Sequence, residues 1–160
     1  MPKYHLRKKE REIKSQEEME EVLQKGKFVS IAMCRNNEPY VVSLNYGYAK
    51  GKNALYFHCA KEGLKLDFIK ENPFVCATVI EDLGYVKDEC EQFYRSLVFW
   101  GKMSIVEDLE EKKYGIEILL KHLEDNPDKV RQKTLKDDKA YEDVGILRLD
   151  ITEITGKKRK

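Results

Sequence analysis

One short stretch gathers the residues most able to do chemistry: His58-Cys59-Ala60-Lys61-Glu62-Gly63-Leu64-Lys65. It closes an alternating apolar run and opens a helical pattern. Free backbone N–H groups at a helix start, with the positive end of the helix dipole, favour an anion such as phosphate. Lys61 and Lys65 are spaced to share one helix face. On the residues alone they read first as a solvated helix face, the alternative being a grip on that anion. An imidazole can exchange a proton near neutral pH, so His58 reads either as a proton donor or as a satisfied structural histidine. Farther along, Arg95-Ser96 interrupts a strongly apolar run, and an arginine there demands an anionic partner. Asn45 sits in a strand pattern against its propensity. Trp100 alone reads as core. His5 and His122 show no sequence partner and receive no role. No acid–base pair stands out, and no GxGxxG fingerprint for a tightly held dinucleotide is present.

The elements that must position these residues follow from periodicity. Ser15-Gln16-Glu17-Glu18 fits a capping box before Met19, Val22 and Leu23, which predicts a helix over 15–25 closed by Gly26. Phe28 to Arg35 reads as a strand, Asn36-Asn37 as a turn, and Tyr40 to Tyr48 as the next strand. A third strand covers Ala54 to Cys59, and a short helix over 63–71 is stopped by Asn72-Pro73. Phe74 to Ile80 is apolar almost throughout, as a strand buried on both faces would be. Residues 81–93 read as a surface excursion, Tyr94 to Val106 as a long strand able to bend at Gly101, and 107–123 as the clearest helix. Residues 128–142 suggest one short helical turn, and Val144 to Ile154 a last strand. Short links between neighbouring strands favour antiparallel pairing. Together these predict a mainly β fold: a six-stranded antiparallel split barrel with peripheral helices, in one domain over 1–160.

Composition narrows the class. At 160 residues, 41% hydrophobic and 37% charged with net charge +1, the chain reads as an ordinary soluble protein. Nothing here favours nucleic acid, and no apolar run nears the roughly 20 residues that span a bilayer. Cys34, Cys59, Cys76 and Cys90 lack CxxC spacing and read as buried free thiols in a reducing cytoplasm, with no metal site. The basic ends, 1–14 and 156–160, read as solvated tails; the sharper alternative is an N-terminal arm reaching over an anionic ligand or a partner subunit.

Several blocks resemble one family. Leu6-Arg7-Lys8-Lys9-Glu10-Arg11-Glu12-Ile13 is similar to the opening of the nitroimidazole-resistance (Nim) proteins, within the pyridoxamine 5'-phosphate oxidase-like, flavin-binding split-barrel superfamily. Pro39 to Tyr48 resembles its PYVVPLNFGY, and Leu55 to Ala60 with Gly63 and Lys65 resembles LYFHSA…GxK. Tyr94-Arg95-Ser96-Leu97 with Gly101-Lys102 resembles YRSV…GxG/GK. Glu107-Asp108 with Glu111-Lys112 and the closing Thr155-Gly156-Lys157 match in order as well. The chain departs from the pattern at Ser43 (usually Pro), Tyr46 (usually Phe) and Cys59 (usually Ser).

The resemblance implies an FMN held between two subunits of a homodimer. Lys61, Lys65, Arg95 and Ser96 would grip its phosphate with His58 nearby. Ser43, Leu44 and Asn45 would lie along the ring, and Trp100 would wall it. It implies a flavin-dependent reductase of small electron-poor substrates such as nitroimidazoles, with His58 as a candidate proton donor and Ser43 and Tyr46 setting selectivity. The alternative is a non-catalytic flavin- or haem-binding storage or sensor module.

Overall fold

The computed structural model describes residues 6–160; Lys3 and His5 lie outside this span. The strands are β1 (Phe28–Arg35), β2 (Glu38–Asn45), β3 (Gly47–Ala49), β4 (Ala54–Cys59), β5 (Phe74–Val86), β6 (Glu91–Val106) and β7 (Gly145–Arg159). The helices are α1 (Gln16–Lys25), α2 (Leu64–Glu71), α3 (Leu109–Leu123), α4 (Pro127–Thr134) and α5 (Asp138–Asp143). One antiparallel sheet runs in the order β2-β1-β5-β6-β7-β4-β3. Its two outer strands are consecutive in the chain, separated only by Tyr46, so the sheet curls round on itself without a ladder closing it. This is the split barrel expected from the sequence, with seven strands where six were predicted, because the run Tyr40–Tyr48 breaks in two.

Alternation along the strands separates two faces. Val29, Ile31, Met33, Val75, Ala77, Val79, Leu97 and Phe99 point inward and join Leu55, Phe57, Leu147 and Leu149 in the main core. A smaller apolar cluster lies on the other side of β4, where Tyr56 and Ile146 meet Ile116, Leu119 and Leu120 of α3. Helix α1 covers one end of the barrel, seated by Val22 and Leu23. Helix α2 covers the other, seated by Leu66, Phe68 and Ile69.

Local signals set the helix starts. The Ser15 hydroxyl accepts from the Glu18 N–H at 3.2 Å, and the Asp108 carboxylate accepts from the Glu111 N–H at 2.9 Å. Gly101 is required where β6 meets β7: a Cβ there would lie 2.1 Å from the Asp150 carbonyl oxygen, and the register shifts at Trp100/Gly101.

Four expectations change. Residues 81–93 are a β-ribbon, not a loose excursion: β5 and β6 stay paired to Val86↔Glu91. Because both faces of that ribbon are largely exposed, no apolar period marks it. The tail 156–160 is not free either, since β7 continues through Arg159 and Lys158 pairs with Glu18 at 2.6 Å. Residues 127–143 form two short helices, not one turn. The four cysteines are free, but Cys34 and Cys90 are exposed and only Cys59 and Cys76 are half-buried.

Candidate flavin-binding face and its flanking cation sites

The outward face of the sheet collects side chains from five strands. The ladders align Val41 with Ala32, Ala32 with Cys76, Cys76 with Trp100 and Trp100 with Glu153. The next outward row is Ser43, Ser30, Thr78, Val98 and Thr155, and beyond it Ile80 pairs with Ser96 and Ser96 with Lys157. Most of these side chains are small, so the face is shallow and smooth. At its margins stand Phe74, Ile80, Phe28 and Val41, each more than 60% exposed, the four most exposed large apolar side chains described. Isolated apolar exposure is ordinary, but four such residues on one face mark a binding surface.

Four of the predicted site residues share this face: Ser43, Asn45, Ser96 and Trp100. The Ser43 and Ser30 hydroxyls bond each other at 2.8 Å. The Asn45 side-chain amide donates to the Lys27 carbonyl at 3.0 Å, which leaves its oxygen as an acceptor. Ser96 is buried at the foot of a hollow of about 600 Å³ lined by Thr78, Ile80, Tyr94, Val98 and Lys157. Leu44 alternates to the other side, where it packs on the core.

Arg95 does not join them. It points inward at the α1 end of the barrel, its side chain only 4% exposed. Its guanidinium bonds Glu81, donates to Glu21 at 2.8 Å and lies 3.6 Å from Glu18. The arginine finds its anion within the fold. Hydrogen bonding to Arg95 holds the Glu81 carboxyl below its ordinary range, and the same bond, with Lys25, draws Glu21 down to about 2. Lys65 lies at the opposite end of the sheet. Cys59, which leads to it, aligns with Gly145 of β7, whereas Arg95 aligns with Lys158. At a strand rise of about 3.3 Å per residue, those positions are about 40 Å apart along β7. Within one chain, therefore, Arg95 and Lys65 cannot hold the same phosphate.

At that opposite end, Cys59, Ala60, Lys61, Lys70, Glu107 and Lys112 line a hollow of about 290 Å³. Lys61 meets Asp143 only at 4.0 Å, both side chains being exposed, a contact worth little. Lys65 is half-buried beside the Cys59 thiol, whose acidity is weakened by burial and partly restored by the Lys65 charge. Helix α2 begins after Gly63 with no side chain capping its first turn, so Lys61, Lys65 and free backbone N–H groups converge there. His58 is directed away from both places. It lines a third hollow, about 320 Å³, with Ile116, Leu119, Leu123, Val130 and Leu135.

Two residues acquire roles that the sequence did not disclose. Tyr46 is fully buried, not at a substrate wall, and its hydroxyl donates to the Leu23 carbonyl of α1 at 2.6 Å. His122 has a partner after all: its Nε2 lies 2.6 Å from the Gly26 carbonyl oxygen and its ring 4.9 Å from that of Tyr46. Burial shifts the His122 pKa down, and the bond to the Gly26 carbonyl opposes that shift only in part. No sequence signal announces either bond, because both join residues distant in the chain.

A solved structure of a candidate 5-nitroimidazole antibiotic resistance protein from Bacteroides thetaiotaomicron superposes with a TM-score of 0.77. It is 25% identical, over 91% of this chain and 85% of that one. An FAD- and haem-binding protein from Mycobacterium smegmatis shares the fold with a TM-score of 0.74 and 16% identity, over 94% of this chain and 74% of that one. An uncharacterised Rhizobium meliloti protein is 32% identical over 69 residues; that match spans 43% of this chain and 44% of the relative. The family model described as pyridoxamine 5'-phosphate oxidase matches residues 15–158, and the chain belongs to that family.

Proposed function

We propose that this protein binds FMN between two copies of the chain and uses it to reduce small electron-poor compounds such as nitroimidazoles in the cytoplasm. The observation that carries the reading is the outward face, where small polar groups are framed by four strongly exposed apolar side chains. A flat ring fits the shallow floor. The Ser43 hydroxyl and the Asn45 side-chain oxygen offer hydrogen-bonding groups along its edge, and Trp100 offers a wall. Lys61 and Lys65, at the uncapped start of α2, supply charge and backbone donors suited to a phosphate. A bound flavin supplies the electron-transfer chemistry, and the protein supplies position, electrostatics and exclusion of water. A second copy seated over Phe28, Val41 and Phe74 would bury them and enclose the ring. The likeness to the Bacteroides protein supports the choice of nitroimidazoles, and the four unpaired cysteines are at home in a reducing compartment.

A second reading, a non-catalytic flavin- or haem-binding module, draws on His58 at an apolar hollow and on the haem-binding structural relative. The absorbance spectrum of the purified protein separates the two. Flavin bands that bleach on chemical reduction without oxygen, and return on adding a nitroimidazole, are the expected result. A Soret band, or flavin bands that do not return with the nitroimidazole, would favour the module. Sedimentation should show a dimer at micromolar concentration, and a flavin-loaded monomer would sink the shared-site part of the proposal.

A further inference from the structure

The described part of the N-terminal arm builds a cation cluster that the flavin reading leaves unused. Ile13 anchors it: this side chain is 3% exposed, and its N–H donates to the Gly156 carbonyl at 2.8 Å. Glu12 forms an isolated bridge with Lys157 of β7. Gly156 permits the close approach, since a Cβ there would stand 3.1 Å from the Ile13 Cβ. From this anchor the chain turns back through a 3-10 turn at Lys9–Arg11. Arg7, Lys8 and Arg11 then line a pocket of about 240 Å³ with Leu6, Tyr94 and Lys157. Among the described residues, none of these four cations pairs with a carboxylate. Each of the other described arginines does, at Arg35, Arg95, Arg131, Arg148 and Arg159. The Lys157 ammonium lies 5.8 Å from the centre of the Tyr94 ring.

Tyr94 and Lys157 also line the 600 Å³ hollow on the outward face, so the basic pocket and that hollow adjoin. The hollow offers an aromatic ring, Val98, Ile80 and the Thr78 side chain, with Asp82 and Gln92 also in its lining and bonded to each other at 2.7 Å; the pocket offers four unneutralised cations. We infer that this composite site takes a second ligand beside the flavin: a planar heteroaromatic nucleotide, its ring in the hollow and its phosphate among Arg7, Lys8, Arg11 and Lys157. A phosphate dianion is the group that paired guanidinium forks and ammonium charges best satisfy, and a hollow of this size lies within the usual range for small-ligand sites. The inference rests on the flavin reading only for the ligand's purpose, since a reductase needs an electron donor and phosphorylated nucleotides are one class that supplies it. The site lies near the α1 end of the sheet, far from Lys65.

Calorimetric titration of the full-length, FMN-saturated protein with AMP, adenosine and inorganic phosphate tests this. AMP should bind at least 10-fold more tightly than adenosine and weaken as salt rises. The double substitution Arg7→Gln/Arg11→Gln, at one exposed and one half-buried side chain, should reduce AMP affinity 10-fold or more while FMN affinity stays unchanged. Equal binding of AMP and adenosine, AMP binding indifferent to the substitutions, or no binding of either AMP or phosphate would overturn the inference. Phosphate binding without AMP binding would overturn the assignment of the ring. A matching loss of FMN affinity would mean that the pocket serves the flavin itself, which also overturns a second ligand. Failure of the flavin reading shows separately, as absence of flavin bands, and leaves the AMP titration of the protein as purified still decisive.

Discussion

The two ends of the barrel use the same kinds of cation to opposite effect. At the α1 end, Arg95 is enclosed and meets three glutamates, and Lys158 meets Glu18 at 2.6 Å. At the α2 end, Lys61 is exposed, and Lys65 and Lys70 pair with no carboxylate among the described residues. The first arrangement joins α1 to the strand ribbon and spends the charges of Arg95 and Lys158 within the fold. The second leaves charge facing solvent at a helix start. A cation's residue type therefore says little about its task until its counter-charges are known.

The largest expected effect comes from breaking the enclosed end. Arg95→Ala would remove the buried guanidinium that Glu18, Glu21 and Glu81 share, and losing the buried member of a charge cluster costs more than losing an exposed pair. Urea denaturation should show that loss. Were Arg95 instead a ligand for flavin phosphate, stability would hardly change and FMN affinity would fall selectively. The exposed end should behave in reverse. Lys65→Ala should weaken FMN binding by about 1.5–3 kcal/mol, as expected for a charge-assisted bond, with little change in the urea midpoint. Riboflavin, which lacks the phosphate, should be indifferent to the substitution; an equal loss for both ligands would remove Lys65 from the phosphate site.

Acid sharpens the contrast at the enclosed end. Glu21 has a folded pKa of about 2 against an ordinary 4.5, drawn down first by its bond to Arg95. A depressed carboxylate contributes stability above its unfolded pKa and loses it as pH falls through the folded value. Wild type should thus be more stable than Glu21→Gln at pH 7, with the gap narrowing from pH 4.5 towards 2. A gap that does not change with pH would mean that charge is not what holds Glu21 to Arg95.

What could be read in the sequence was local. The Ser15 cap, the strand Phe28–Arg35 and the stop at Asn72-Pro73 each depend on neighbours in the chain, and each appears close to its expected place. Ser43, Asn45, Ser96 and Trp100 reached one face because strand alternation carries that information. Arg95 was legible as a buried charge in need of an anion; that the anion is protein carboxylate depends on Glu18, Glu21 and Glu81 arriving from elsewhere. The arm's cluster was equally hidden, since Lys157 stands far along the chain from Arg7 and is brought to it by the Ile13–Gly156 contact and the Glu12–Lys157 bridge.

The smallest effect concerns Tyr46, where the chain departs from the pattern it otherwise resembles. Helix α1 ends at Lys25, and carbonyls in its last turn have no partner within the helix. The Tyr46 hydroxyl supplies one to Leu23 at 2.6 Å, while its ring sits fully buried against His122. Burial also raises the phenol's pKa well above the ordinary value, so the donor proton is retained at any pH at which the protein would be handled. Tyr46→Phe keeps the ring and removes only the donor, leaving the Leu23 carbonyl unsatisfied. A loss of about 1 kcal/mol follows, read as a lower urea midpoint with an unchanged slope, and FMN affinity and nitroimidazole turnover should be unaltered. If turnover changes while stability does not, Tyr46 acts on the substrate after all.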